Sequence, residues 1–233
     1  MTRRGGLVLS ALLALSACAP TSLAPTVIRY EPLEPSVGEN RLGLRTGPRL
    51  SSAIARVEGG TLDDDIGTPA PPELGLGLEY VRLQPLIGNF AVHFGVQAEF
   101  FYAIPFPALG AFAGLSHRWQ IGVLSIAPGL GLRAGTDFGT ITAAGPPAST
   151  WGGDVSVSIS LAEGETARIG VSPFFALWQT YSPTASGLNT AAFAGAVLFV
   201  RFTQFELIVG LGRVFAKNTG WNVPLIGVRT GGN

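Results

Sequence analysis

The stretch from Asn89 to Tyr102, N-F-A-V-H-F-G-V-Q-A-E-F-F-Y, constrains the fold more than any other part of the chain. Taken two at a time from Phe90, one set is Phe90, Val92, Phe94, Val96, Ala98, Phe100 and Tyr102. The intervening set is Asn89, Ala91, His93, Gly95, Gln97, Glu99 and Phe101. A β-strand sends successive side chains to opposite faces, so this segment is a strand with one apolar wall and one mostly small or polar wall. Similar segments follow one another along the chain. Trp151 to Leu161 sets Val155, Val157, Ile159 and Leu161 against Asp154, Ser156, Ser158 and Ser160. Phe205 to Phe215 sets Leu207, Val209 and Leu211 against Glu206, Gly210 and Gly212.

Further alternating runs cover Glu73 to Leu83, Ala108 to Arg118, Ile121 to Gly135 and Thr166 to Thr180. Leu42 to Val57 reads as a poorly patterned first strand bent at Gly47-Pro48, Leu188 to Phe202 is apolar on both sides, and Trp221 to Arg229 is the last strand. The spacing predicts about ten strands, within a range of eight to ten, joined alternately by long loops and short turns. Short turns are expected near Pro85 to Gly88, at Trp119-Gln120, at Glu163-Gly164-Glu165 and at Thr203-Gln204, and loops at 58–72, Pro105 to Pro107 and 136–150. The fold class is all-β, an up-and-down antiparallel barrel.

Composition says what surrounds it. Hydrophobic residues make up 47% of the 233 and charged residues only 13%, about half the usual charged share. Fifteen basic and fifteen acidic side chains balance, which gives no electrostatic reason to expect nucleic acid. Beyond the N-terminus no apolar run has the length of a membrane-spanning helix. The proposed inner wall collects Glu73, Glu79, His93, Gln97, Glu99, Arg118, Arg133, Asp154, Arg168 and Glu206 among many Gly and Ser. Soluble sheets carry Lys, Thr and Glu on their wet face, so the small residues and the low charge favour a barrel in lipid over a soluble one. Tyr102, Trp151, Trp178, Tyr181 and Trp221 fall at the expected outer strand ends and Trp119 at an inner turn. Such aromatics form girdles at lipid–water boundaries.

The N-terminus reads as an export signal: Arg3 and Arg4, an apolar run from Leu7 to Leu15, then Ser16, Ala17 and Cys18. The rest of a twin-arginine motif is missing. Leu15-Ser16-Ala17-Cys18 resembles the lipobox of bacterial lipoproteins, and Cys18 is the only cysteine. The resemblance implies cleavage before Cys18, acylation of that residue and, with Ala19 where an inner-membrane retention Asp would stand, an outer-membrane destination. The expected organisation is a signal peptide at 1–17, a Pro-rich tether at 18–40 and a barrel at 41–233. Over residues 41–230 the alternation resembles the small outer-membrane β-barrel proteins. The chain departs from them at its C-terminus, which ends Arg229-Thr230-Gly231-Gly232-Asn233 rather than on an aromatic residue.

Chemistry is sparse. His93 shares a face with Gln97 and Glu99, an arrangement open to lipid hydrolysis but expected to be an interior hydrogen-bond network. His117 lies beside Trp119 at the interface. Asp63, Asp64 and Asp65 lack the spacing of a Ca²⁺ loop, and Gly75-x-Gly77 and Gly129-x-Gly131 open no helix, so they are not nucleotide motifs. No catalytic residue, metal site or cofactor is expected. The expected partners are membrane lipid and the acyl groups on Cys18. Three functions remain open: a structural or adhesive envelope protein acting through loops 58–72 and 136–150, a narrow channel or carrier for small or apolar solutes, and a lipid-modifying hydrolase. A soluble, tethered carrier barrel is the fourth.

Overall fold

The computed structural model describes residues 38–49, 73–101, 104–137, 148–163, 167–182, 187–202, 204–216 and 219–232. They form strands β1 (Glu39–Arg49), β2 (Glu73–Pro85), β3 (Phe90–Phe101), β4 (Ile104–His117), β5 (Trp119–Ile121), β6 (Leu124–Asp137), β7 (Ala148–Glu163), β8 (Ala167–Ser182), β9 (Gly187–Phe202), β10 (Phe205–Ala216) and β11 (Thr219–Gly232). Neighbours in sequence pair antiparallel, and β1 pairs antiparallel with β11. β4 and β5 are one crossing interrupted at Arg118, since both pair with β6. The sheet therefore closes as a barrel of ten antiparallel strands. The first strand starts at Glu39, two residues before the expected domain boundary, and continues straight through Gly47-Pro48, opposite Gly75 and Leu74. Residues 50–57, assigned to it from sequence, lie outside the described residues, as do Cys18, the signal and the tether up to residue 37.

Two expected connections are corrected. Trp119 and Gln120 extend the strand opposite Ile126 and Ser125, and the chain reverses at Gly122-Val123. Gly122 has φ 59°, and Gly88 in the preceding turn has φ 70°. Residues with a Cβ avoid this left-handed region, which glycine enters freely. Pro105 and Pro107 belong to β4 rather than to a loop. They precede Ala108, where pairing with β6 begins, so their missing N–H groups interrupt no central ladder. The connection between β3 and β4 is accordingly only residues 102–103, and the long–short alternation fails at that point.

The connections at 86–89, 122–123, 164–166 and 203–204 share one end of the barrel with the start of β1 and the end of β11. This is called the inner end below; the end carrying 50–72 and 138–147 is the outer end.

The two walls separate cleanly. Phe94, Val157 and Val209 are 48%, 37% and 58% exposed, whereas Ser156 and Glu99 on the alternate faces are 4% and 3% exposed. Leu42, Leu78, Leu132, Leu198, Leu211 and Ile226 extend the outward apolar belt around the circumference. A continuous apolar surface of this kind is untenable in water. In hydrocarbon it is required, and closure satisfies the amides that lipid cannot. The barrel is thus a transmembrane one. Val209→Arg, near the middle of β10, is expected to lower the free energy of folding into lipid vesicles by about 2–4 kcal/mol, measured by reversible urea titration. An unchanged midpoint would show that this wall does not meet hydrocarbon.

Candidate functional site in the barrel interior

The interior is divided into an ionic part and an apolar part. On β1 the inward residues alternate with Leu42 and Leu44, which places Glu39, Arg41, Gly43 and Arg45 inside. Arg45 donates to Glu99 Oε1 at 2.7 Å and lies 3.4 Å from Glu79 Oε2. To reach Glu99 on β3 it must cross β2, and it does so over Gly77, whose Cα carries nothing in the way. Arg229 on β11 repeats the device. Its Nε donates to Glu79 Oε1 at 2.7 Å by crossing β1 at Gly43. A side chain at Gly43 would put its Cβ 2.8 Å from Glu79 Oε1 and 3.0 Å from Arg229 Cγ. Arg229 also donates Nη1 to Glu206 Oε2 at 3.0 Å, and Arg201 gives Nε and Nη2 to Glu206 Oε1 at 3.1 and 2.8 Å.

One unbroken sequence of ion pairs therefore runs Glu99, Arg45, Glu79, Arg229, Glu206, Arg201. It touches six strands that are consecutive around the barrel, from β3 through β1 and β11 to β9. All six side chains are buried. Fork-shaped guanidinium groups suit this task because each can serve two carboxylates at once. A further pair joins Arg133 on β6 to Asp154 on β7 at 2.8 Å. Ser158 and Ser172 bond across β7 and β8 at 3.2 Å.

Toward the outer end of β8 to β11 the inward residues become apolar: Phe174, Trp178, Phe193, Val214, Val223 and Leu225 form one buried cluster. The rings of Phe174 and Phe193 are 5.0 Å apart and tilted.

The residues predicted as an inner polar network are placed as follows. Glu79, His93, Gln97, Glu99, Arg168 and Glu206 face the interior and are buried, and Arg133 and Asp154 face it paired with each other. Arg118 is half-buried at the break between β4 and β5, where its N–H donates to Asn89 O at 2.9 Å. Gln97 and Glu99 both accept from Arg45, so the carboxylate beside His93 is committed to an arginine. The sequence reading missed Glu39, Arg41, Arg45, Arg201 and Arg229. The same two-residue alternation marks all five, but β1 lacks a long apolar run, and β9 and β11 carry few polar neighbours to reveal the inner face.

The girdle assignment is corrected at two positions. Trp178 is 1% exposed and belongs to the interior cluster, and Trp221 packs against that cluster. Each sits on the inward parity of its strand, so its distance from the strand end does not bring it to lipid. Trp119 and Trp151, at 51% and 42% exposure, are on the outer wall near opposite ends. Trp119 stands edge-on to His117, which also contacts Phe90. Tyr102 and the side chain of Tyr181 lie outside the described residues. Tyr80, stacked Phe202 and Phe205, and Phe215 are outward aromatics that sequence reading left unassigned.

Among the described residues no group of three or more His, Cys, Asp or Glu could hold a metal ion. No protein-family profile matches the chain, and no curated protein does. Among solved structures the chain is similar to a KdgM porin, with 10% identity and a TM-score of 0.33 over 83% of this chain and 98% of the porin. A KdgM porin in complex with disordered oligogalacturonate gives 10% identity and a TM-score of 0.32 over the same shares.

Glu206→Ala leaves Arg201 and Arg229 facing each other without their shared carboxylate. Removing one partner of a buried pair costs about 3–5 kcal/mol, so the heat-modifiable gel mobility of this variant is expected to convert at a distinctly lower temperature than wild type. Conversion at the wild-type temperature would mean that the ladder holds nothing together.

Proposed function

We propose that the chain is an outer-membrane β-barrel forming a narrow passage for small solutes, held closed at rest by the ion-pair ladder. The observation that carries this reading is the ladder itself. A barrel needed only as an inert anchor can fill its interior with apolar side chains and avoid the desolvation cost of buried ions. Ionisable residues kept within a membrane span mark paths for solutes and ions. Ten strands make a barrel only slightly wider than the eight-stranded kind, whose interior side chains fill it, so a wide aqueous pore is excluded. Opening then requires exchange of partners along the ladder, for which the neighbouring carboxylates Glu79, Glu99 and Glu206 are available to the same arginines.

A second reading is a structural or interaction barrel whose outer connections at 58–72 and 136–150 contact partners. The near-complete burial of the inner wall supports it. In either reading His93 is a structural residue and no reaction is assigned. The anchor is part of the proposal: acylation of Cys18 in the inner leaflet of the outer membrane, with the inner end of the barrel in the periplasm.

Purified protein in a planar bilayer is expected to show rare, small, discrete conductance steps, and the double variant Glu206→Ala, Arg229→Ala to raise their frequency at least tenfold. Silent bilayers from both proteins would leave the structural reading standing alone. Cys18→Ala is expected to abolish incorporation of radiolabelled palmitate while the barrel remains in the outer-membrane fraction after carbonate washing.

A further inference from the structure

We propose that the outer wall holds one anionic phospholipid, its headgroup on Arg82 and Asn40 at the inner end of the barrel and an acyl chain in a groove that climbs the wall from there. The site requires that this wall meets lipid and does not depend on whether the barrel conducts. Arg82 on β2 has the outward parity of Leu78 and Tyr80. It lies three residues from the inner end of the strand at Pro85, opposite Asn40 on β1 and Phe94 on β3. Its guanidinium bends toward that end, since a Cβ at Gly38, just before β1, would stand 2.7 Å from Nη2. A cation on a lipid-facing wall reaches for the headgroup level in this way.

Inside the barrel Arg41, Arg45, Arg201 and Arg229 each contact a carboxylate. Arg82 does not. Among the described residues its one hydrogen bond runs from Nη2 to Gln84 Oε1 at 3.2 Å. Glu39 and Glu79, on the same two strands, face the interior and are buried. Beside Arg82, Tyr80 donates its hydroxyl to Asn40 Oδ1 at 2.8 Å. Both side-chain carbonyls of this cluster are therefore engaged as acceptors. What remains at the surface is donor capacity, from the guanidinium and from Asn40 Nδ2, with one net positive charge. The complement is an anionic acceptor, and at headgroup depth that group is a phosphodiester. With no carboxylate beside Arg82 to receive an ammonium group, a glycerol headgroup fits better than a choline one.

An apolar groove of about 730 Å³ begins at this cluster. Register places Leu42, Tyr80, Val96, Ala111 and Ala134 side by side on five neighbouring strands, and all five line the groove. Leu42 is three residues from the inner start of β1, whereas Ala134 is three residues from the outer end of β6. The row thus climbs from the inner end toward the outer one, as the tilt of barrel strands requires. The short side chains of Ala111 and Ala134 form the depression, and Leu78 and Leu109 border it. An acyl chain leaving a headgroup at Arg82 has this direction, and its methylenes supply the contacts that the short side chains leave unmade.

The test uses the full chain in detergent, stripped of co-purified lipid. It is titrated with phosphatidylglycerol or phosphatidylcholine of identical acyl chains, and bound lipid is counted by native mass spectrometry. One phosphatidylglycerol per barrel is expected, at a concentration about fivefold lower than phosphatidylcholine needs. Arg82→Gln is expected to remove that preference. Ala111→Leu, which fills the groove, is expected to weaken both lipids alike and keep the preference. Arg213→Gln, which removes an outward cation already seated over the Phe215 ring, is expected to change nothing. A barrel that retains no lipid, or an Arg82→Gln variant that still prefers phosphatidylglycerol, overturns the proposal. So does lipid binding by Cys18→Ala alone, which assigns the groove to the chain's own acyl group, or a lipid-free dimer, which assigns it to a second copy.

Discussion

The contact between Arg229 and Glu79 across Gly43 joins what the rest of the barrel depends on: the seam between its first and last strands. A sheet in hydrocarbon has no tolerance for an open edge, because each unpaired amide there lacks water to bond. Every other strand pair is joined by a short connection or lies next to its partner in sequence. β1 and β11 meet only because the sheet curls fully around. The ladder crosses this junction from Glu79 on β2 to Glu206 on β10 with Arg229 as the shared member, so the backbone pairing of the seam is backed by charge-assisted bonds on its inner side. The glycines at 43 and 77 are part of that construction. They are the places where a side chain from one strand passes over a second to reach a third.

The interior is thereby given two characters. Along β1 to β3 and at the inner end of β9 to β11 it carries the ionic groups, with Val81, Leu83 and Phe112 as a small apolar cluster beside them, and near the outer end of β8 to β11 it is aromatic and aliphatic. The two parts close the barrel by different physics. The apolar cluster gains from burial and packing with little dependence on its neighbours' identity. The ionic part is stable only while every charge keeps its partner, since an orphaned charge in such surroundings costs several kcal/mol. A passage controlled by the ionic half is therefore sensitive to single substitutions in a way that the apolar half is not.

Much of this architecture was legible in the sequence, because the period of two is imposed by the strand backbone and needs no tertiary information. The wall carrying Phe94, Val157 and Val209 and the wall carrying Glu99 and Ser156 could be told apart by alternation, and the low charge indicated which one meets lipid. Three things escaped. Trp178 and Trp221 were assigned by distance from a strand end when parity decides the face. The reversal at Gly122-Val123 was placed too early because Trp119 and Gln120 look no less turn-like than strand-like in isolation. The ladder itself was only half visible. Its acidic members Glu79, Glu99 and Glu206 stand in well-patterned strands, but Arg45, Arg201 and Arg229 lie in the three strands whose pattern is weakest, and the pairing of residues 150 positions apart is a product of closure.

The position of Arg229 on β11, the strand that closes the barrel onto β1, has a consequence for biogenesis. Translation delivers Glu79 and Glu206 before the arginine that links them. A polypeptide released short of β11 would keep Arg45 beside Glu79 and Arg201 on Glu206 but lose the guanidinium that joins the two pairs, and would lack the strand that seals its edge. Both defects vanish in the same event, when the last segment docks. The barrel thus contains its own check for completeness, since the ionic link and the sealed edge arrive with the same strand.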